Sequence, residues 1–203
     1  MMLTPIPAER LPDMIGVYDA ALAGTPVVQA AFRRIIASKG VNTGAETLHR
    51  AAVDLARRVG MQVLDAAPAD GFSWDGHRVA VRTEPSVLIH EIAHWLIANE
   101  SRRALPDFGL GSGPETGFSS VADSARCVDD ATKEGEENLA SLLGILWEVN
   151  LGGPAIDAFC EQNWFELYDR SGTHVHFVKT LEDLRSRGLV DRLFEPVVPS
   201  QPR

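Results

Sequence analysis

The sequence predicts a helix-rich α+β domain with a small sheet, and three observations support this fold class. Apolar residues recur at helical spacing in several segments, a few short segments alternate as strands do, and glycines and prolines separate them. With 203 residues, 45% of them hydrophobic, the chain is long enough to bury a core of its own. We therefore expect residues 1–203 to form a single domain.

Capping signals predict the first two helices. Thr25, followed by a proline, is typical of a helix start, and Gly40 follows the apolar pattern as a helix end does. Thr43 and Glu46 have the spacing of a capping box and precede a second apolar stripe. Gly60 is predicted to end this second helix.

A small sheet and an apolar helix are predicted next. Residues 61–64 are a strand candidate, and 72–81 are predicted to form a hairpin with Asp75 and Gly76 at its turn. The following helix is predicted to run from about residue 83 to residue 98, because a Thr-Glu-Pro sequence opens an apolar stretch.

The second half of the chain alternates loops and helices. Residues 101–130 are rich in Gly, Pro, Ser and Asp and predict a long loop, which in a compact domain is more often functional than idle. The later elements are predicted as a helix over 133–149, a break at 152–154, a helix to about 168, a strand over 173–178 and a last helix over 180–187. Prolines in residues 1–12 and 196–203 predict an extended N-terminal arm and a disordered tail.

Charge and cysteine content narrow the functional class. The formal charge is −9, from 19 basic and 28 acidic residues, which disfavours a nucleic-acid binder because such proteins carry a basic face. Cys127 and Cys160 lack the spacing of a zinc finger or a redox pair. The sequence shows neither a signal peptide nor an apolar run that spans a bilayer. We expect a cytoplasmic protein.

One motif carries chemistry: His90-Glu91-Ile-Ala-His94, an H-E-x-x-H sequence inside an apolar helix. Residues four apart lie one turn apart on one helix face, so both imidazoles can reach one metal ion. Glu91 lies beside that face, where it can act as a base on a metal-bound water. An apolar helix of this kind after a hairpin is typical of zincin-like folds. The alternative, two core histidines satisfied by carboxylates without an ion, is a costly way to build a core.

A third ligand is expected from the next helix, because two histidines leave a metal ion short of at least one donor. The candidates are Glu134, Glu136 and Glu137. Glu137 shares a helix face with Ser141 and Gly144, whose small size favours close packing on the histidine helix, so Glu137 is preferred. Glu134, one turn earlier, is the alternative ligand or a partner for a histidine. The acids also fit an exposed first turn stabilised by the helix dipole.

Two of the four further histidines are weaker candidates. His174 and His176 alternate in the predicted strand and would point to one face, where they could donate protons or contact substrate. A pair of this kind is more often an ordinary surface feature. We assign no role to His49 and His77.

The segment that continues from the motif resembles a known family. The run HEIAHWLIA from His90, followed by RRALPDFG from Arg102, is similar to bacterial elongation factor P hydroxylases, in which H-E-x-x-H-W-x-I-A precedes R-R-x-L-x-D-F-G. The resemblance covers residues 87–109 well and 134–154 weakly. Residues 110–117, LGSGPETG, stand where the family carries an aromatic, Arg-containing segment. The resemblance therefore does not define the substrate, and we expect a protein, a peptide or a small molecule.

This resemblance implies a mononuclear Fe(II) site that supports oxygen-dependent hydroxylation rather than hydrolysis. Two histidines and one carboxylate suit non-haem iron with open positions for dioxygen and substrate. The implied ligands are His90, His94 and Glu137. Arg102 or Arg103 would then bind an anionic group of a substrate or cosubstrate.

The alternative interpretation is a zinc metallopeptidase of the gluzincin type. The same three ligands would bind Zn²⁺, and Glu91 would activate water against a scissile carbonyl. The predicted hairpin would offer an edge strand to an extended peptide, and His174 or His176 would stabilise the oxyanion. A non-catalytic scaffold is disfavoured because Glu91 is present beside both histidines.

Overall fold

The computed structural model describes residues 9–41, 43–69, 72–112, 120–165 and 173–198, and these residues form a helix-rich α+β structure with a small sheet. The elements in chain order are α1 (Leu11–Ala21), α2 (Pro26–Ala37), α3 (Ala45–Arg58), β1 (Gln62–Leu64), β2 (Arg78–Ala80), α4 (Pro85–Ile97), α5 (Glu100–Arg103), a short 3-10 segment (Pro106–Gly109), α6 (Ser120–Ala125), α7 (Asp130–Asn150), α8 (Ala155–Glu161) and α9 (Thr173–Ser186). Among the described residues, no helix combines the length and the apolar character needed to cross a bilayer.

Residue contacts divide the chain into two compact units. The first contains the described parts of Met1–Thr43 and Ile145–Val197, and the second those of Gly44–Gly144 and Val198–Arg203. The division falls within α7, so this helix contributes residues to both units.

Aromatic side chains form the core of the first unit. Tyr18 of α1 stacks on Phe32 of α2, with ring centroids 4.7 Å apart. Phe159, Phe165 and Phe177 meet the Tyr18 ring edge-on. Because all five rings are almost fully buried, this cluster holds α1, α2, α8 and α9 together in this unit.

The predicted strand over 173–178 is wrong, because this segment forms the start of α9. Phe177, Leu181 and Leu184 are buried at helical spacing. This longer pattern defines the buried face of a helix and outweighs the short alternation that suggested a strand.

The sheet of the second unit consists of β1 and β2 in parallel, with Val63 opposite Val79. The predicted strand over 61–64 is therefore confirmed. The predicted hairpin forms in part: the chain turns at Asp75 and Gly76, and Trp74 makes an antiparallel bridge to Val79. Gly76 has a φ of +91°, which glycine adopts readily and most residues avoid.

The helices predicted from capping signals are present, with changes at their ends. α2 begins after Thr25 as predicted. The capping box is wrong, since Gly44 is the N-cap of α3 and the Thr43 hydroxyl donates instead to the carbonyl of Gly152. α1 begins at Leu11, inside the predicted arm, while residues 1–8 of that arm and 199–203 of the predicted tail lie outside the described residues.

The predicted loop over 101–130 contains short helices. α5, the 3-10 segment and α6 all lie in or at the edge of this stretch, and residues 113–119 lie outside the described part. The Asn99 side chain accepts a hydrogen bond from the backbone N–H of Arg102 at 3.0 Å and so caps α5. The N-cap residue Asn99 indicates a helix start, but the Gly, Pro and Ser content of residues 101–130 as a whole predicts a loop.

Gly144 of α7 lies against the backbone of α4. A Cβ atom at this position would lie 3.6 Å from the Cα atom of His90, which is ordinary van der Waals contact. Gly144→Ala is therefore expected to fold normally and to gain up to about 1 kcal/mol from helix propensity. The branched side chain of Gly144→Val is expected to cost about 1–3 kcal/mol through overpacking. Urea unfolding measures both, and equal stabilities of the two variants would contradict this packing.

Candidate metal centre

α4 presents two imidazoles from an otherwise largely apolar helix. Pro85 opens the helix, and its buried residues include Leu88 and Ile92 as well as His94, which is 4% exposed. His90 lies one turn earlier, with 24% of its side chain exposed. The two Nε2 atoms are 3.0 Å apart, as expected for histidines spaced by four on one helix face.

Glu137 of α7 brings a carboxylate to this pair. Its Oε2 atom lies 3.4 Å from the Nε2 atom of His90 and 3.4 Å from that of His94. Glu134, the alternative ligand in the sequence analysis, is exposed on α7. α7 is one continuous helix from Asp130 to Asn150, and it approaches α4 closely at Gly144. Glu137 lies seven positions before Gly144, which is about two helical turns, so it faces the same part of α4.

The three donor atoms fit a metal ion in their separations. Bonds of about 2.0–2.1 Å in a tetrahedral arrangement place ligand atoms about 3.4 Å from one another. The observed separations are 3.0, 3.4 and 3.4 Å. Within the described ranges, His90, His94 and Glu137 are the group of three or more metal-ligating side chains whose donor atoms converge.

One side of this group is accessible to solvent. The side chain of Glu137 is 42% exposed and that of His90 is 24% exposed, whereas that of His94 is 5% exposed. Three protein donors with an accessible side are typical of a catalytic metal site, because structural sites surround the ion with four protein ligands.

The carboxylates around His94 favour a positive charge on or beside this imidazole. Burial opposes a charge on His94, but Glu136 and Glu137 more than offset this effect and raise the pKa of the imidazole to about 10. Burial likewise opposes the charge of Glu137, yet the two histidines hold its pKa well below the usual value. In the metal-free chain a proton on His94 therefore balances the carboxylates.

Metal affinity is expected to rise with pH as a consequence. His94 must lose its proton before Nε2 can bind a metal, and its pKa of about 10 means that the proton is present throughout the neutral range. The dissociation constant for Zn²⁺ is expected to fall by about tenfold per pH unit between about pH 6.5 and 8, with about one proton released per ion. Calorimetry in two buffers of different ionisation enthalpy counts that proton, and an affinity that is independent of pH would contradict this protonation state.

A buried ion pair lies behind His94. Glu136 is 6% exposed, and its two oxygens accept hydrogen bonds from Nη1 and Nη2 of Arg102 at 2.5 and 2.8 Å. The Oε1 atom of Glu136 also lies 3.5 Å from Nδ1 of His94. Burial raises the pKa of Glu136, but His94 and Arg102 more than offset it and hold that pKa below its usual value.

Both arginines predicted to hold an anionic group are engaged within the chain. Arg102 gives both Nη atoms to Glu136, and its Nε donates to the carbonyl of Phe108 at 2.9 Å. Arg103 is 7% exposed, donates from Nε to the carbonyl of Trp95, and lies over the Trp95 ring at 4.7 Å. These contacts support α4 and α7, and the predicted role of Arg102 or Arg103 in binding an anionic group stays a prediction.

The Asp-Phe-Gly sequence forms a left-handed turn beside His94. Asp107 and Phe108 have φ values of 49° and 51°, and Gly109 has 68°. Non-glycine residues in this region cost about 1–2 kcal/mol each, so the surroundings must hold the turn in place. The Phe108 ring is fully buried, with its centroid 5.7 Å from that of His94 and an interplanar angle of 24°.

Asp107 is a site residue that the sequence analysis named only as part of a motif. Burial raises the pKa of its carboxyl to about 6. The charges of His94 and Lys133 oppose this increase, and the charge of Glu137 adds to it. Its backbone N–H donates to the carbonyl of Trp74 at 3.0 Å. The left-handed turn that places it has no signature in residue spacing, so only the D-F-G resemblance pointed to this segment.

The remaining candidates from the sequence are Glu91, His174 and His176. Glu91 is partly buried on α4, and its charge helps to raise the pKa of His94, so it lies in the same electrostatic environment. His174 and His176 lie on α9 in the first unit, and two positions apart on a helix they point to different faces. The His176 ring stacks on Trp164, with centroids 5.4 Å apart.

Comparison with known proteins adds no assignment. No family model, no curated protein and no solved structure matches this chain.

Proposed function

We propose that this chain is a mononuclear metalloenzyme that binds one divalent metal ion through His90, His94 and Glu137. The observation that carries the proposal is the convergence of two Nε2 atoms and one Oε2 atom at 3.0–3.4 Å, with one side accessible to solvent. The surroundings of His94 support it, because a buried imidazole that two carboxylates face suits a bound cation.

The preferred activity is that of an Fe(II)-dependent oxygenase that hydroxylates a protein or peptide side chain or a small molecule. Two histidines and one carboxylate are the donor set of non-haem iron oxygenases, and iron bound there supplies the activation of dioxygen. The residues that carry the resemblance to elongation factor P hydroxylases also lie around the triad: Phe108 stacks on His94, and Arg102 pairs with Glu136.

The chain's own residues divide the work in this proposal. His94 is buried between Phe108 and Glu136, and it shields one side of the site from water. His90 and Glu137 border the accessible side, where a substrate would enter. In this proposal Glu91, next to His90 on α4, would take or return a proton beside the ligands.

A zinc metallopeptidase is the second candidate, because the donor separations are close to those of a tetrahedral site and Glu91 is the usual base of an H-E-x-x-H helix. The sheet disfavours it. β1 and β2 have three residues each, and β2 has β1 on one side and a bridge from Trp74 on the other. The predicted hairpin therefore offers little free edge for an extended peptide. That the fold is zincin-like is likewise a proposal.

The experiment that separates these activities starts from protein purified without oxygen. The metal-free chain is loaded with Fe²⁺ or Zn²⁺, and dioxygen consumption and cleavage of a mixed peptide substrate are measured for each form. His77→Ala is the control, since His77 is exposed at the turn. Dioxygen consumption by the iron form that exceeds that of His90→Ala would support the oxygenase, whereas peptide cleavage by the zinc form alone would replace it with the peptidase. Binding of neither metal would contradict both.

We also propose that the protein works in a reducing compartment, in line with the predicted cytoplasmic location. Cys127 and Cys160 are both unpaired, as is usual for cysteines in the cytosol.

A further inference from the structure

The Nδ1 atom of His94 has a defined environment that the metal-binding side does not explain. This atom is buried and has no hydrogen-bond partner at ordinary distance among the described residues. The group that faces it is Oε1 of Glu136, at 3.5 Å. An unpaired buried donor costs about 1–3 kcal/mol, so this facing carboxylate is its natural acceptor.

Glu136 itself is held by a fixed partner. The Arg102 guanidinium donates to both oxygens of Glu136 through its two Nη atoms, and its Nε donates to the carbonyl of Phe108. All three kinds of donor nitrogen on this arginine are therefore used within the chain, and its side chain is 13% exposed. A planar, bidentate pair of this kind fixes the orientation of the carboxylate as well as its charge.

The left-handed turn connects this pair to the other face of His94. The Phe108 carbonyl accepts from Arg102, while the Phe108 ring stacks on the His94 imidazole. The positive φ values of Asp107 and Phe108 strain the backbone of this turn, and such strain persists where surrounding contacts hold it. Strained residues of this kind are concentrated at functional sites. Here the same residue anchors Arg102 and restricts the tilt of the His94 ring.

We infer that Arg102 and Glu136 position His94 for metal binding by fixing its proton on Nδ1, so that the lone pair of Nε2 faces the ion. Glu136 is thus a positioning residue and not a ligand, and Arg102 acts through Glu136. The inference rests on the proposed metal site. It extends that proposal by assigning the acid next to Glu137 a different task, since Glu137 points to Nε2 and Glu136 to Nδ1.

The test uses Zn²⁺ as the probe and two matched variants of the same helix. Glu136→Gln removes the charge that faces Nδ1, and Glu134→Gln makes the same change at an exposed position of α7. Competition with a chromophoric chelator is expected to show affinity about 10–100-fold lower for Glu136→Gln. Glu134→Gln is expected to match the unaltered chain. Equal affinities of all three would overturn the inference while leaving the metal site in place.

Nitrogen-15 NMR of the imidazoles supplies a readout that a merely structural role would not move. In the zinc-loaded, unaltered chain, His94 is expected to carry its proton on Nδ1 and zinc on Nε2. Zinc on Nδ1 would overturn the inference, and failure of the unaltered chain to bind zinc would overturn the metal site and the inference together.

A milder variant covers the case in which Glu136→Gln does not fold. Arg102→Lys keeps a positive charge beside Glu136 but loses the planar fork, so the protein is expected to fold and to bind zinc several-fold more weakly. Unchanged zinc affinity and an unchanged Nδ1 proton signal in Arg102→Lys would show that the arginine does not act on His94.

Discussion

His90→Ala is expected to abolish stoichiometric metal binding, with tightly bound metal falling from about one equivalent to none. Nε2 of His90 lies 3.0 Å from Nε2 of His94 and 3.4 Å from Oε2 of Glu137, so the substitution removes one of the three donor atoms. Removing one of three ligands takes away roughly 4 kcal/mol of a binding free energy of about 10–16 kcal/mol, which weakens binding roughly 1000-fold.

A second histidine variant provides the matched control. His77 is exposed at the turn between Trp74 and Val79, so His77→Ala is expected to retain the full metal content. Circular dichroism of both variants should be unchanged, because His90 is partly exposed and its side chain carries little of the core. A His90→Ala chain that still holds one equivalent would show that the metal binds elsewhere.

Phe108→Ala is expected to destabilise the protein strongly and to weaken metal binding as well. The ring is fully buried between Trp74, at 5.5 Å and 3°, and His94, at 5.7 Å and 24°. Truncating a buried phenylalanine costs about 3–5 kcal/mol. For a chain of this size such a loss lowers the melting temperature by about 6–20 °C. Alanine keeps the strained left-handed backbone, so no strain is relieved to compensate.

Phe159→Ala separates the two effects of that substitution. Phe159 is also fully buried, but it belongs to the aromatic cluster of the first unit. Its truncation should lower the melting temperature by a similar amount and leave the zinc affinity of the folded protein unchanged. Phe108→Ala should reduce this affinity about tenfold, as the loss of a neighbour that orients a ligand does. Equal zinc affinities in the two variants would mean that Phe108 is only a core residue.

The elements with strong local signals are the ones that the sequence predicts well. α2 and α4 start at prolines and have long apolar patterns, and both appear within a few residues of their predicted bounds. The prolines of residues 1–12 predict an extended arm, but Pro12 lies in the first turn of α1, where a proline is compatible with a helix. Alternation over residues 173–178 predicts a strand, but the buried positions that follow in α9 continue a helical pattern.

The candidate site follows the same division between local and distant signals. The spacing of His90 and His94 indicates one helix face, and the small residue Gly144 indicates which side of α7 approaches it. Spacing alone does not reveal that Arg102 binds Glu136, because this pair joins residues 34 positions apart in the sequence. Nor does it reveal the left-handed turn at Asp107, whose conformation depends on contacts with surrounding segments.

X-ray absorption spectroscopy of the metal-loaded chain tests the central claim most directly. The proposed site predicts a first shell that contains two imidazole nitrogens and at least one carboxylate oxygen, at about 2.0–2.2 Å for zinc, with the multiple-scattering pattern of two histidine rings. The second-ring signal should disappear in His90→Ala. A first shell of oxygen atoms only, or a spectrum that His90→Ala leaves unchanged, would contradict a metal centre at His90, His94 and Glu137.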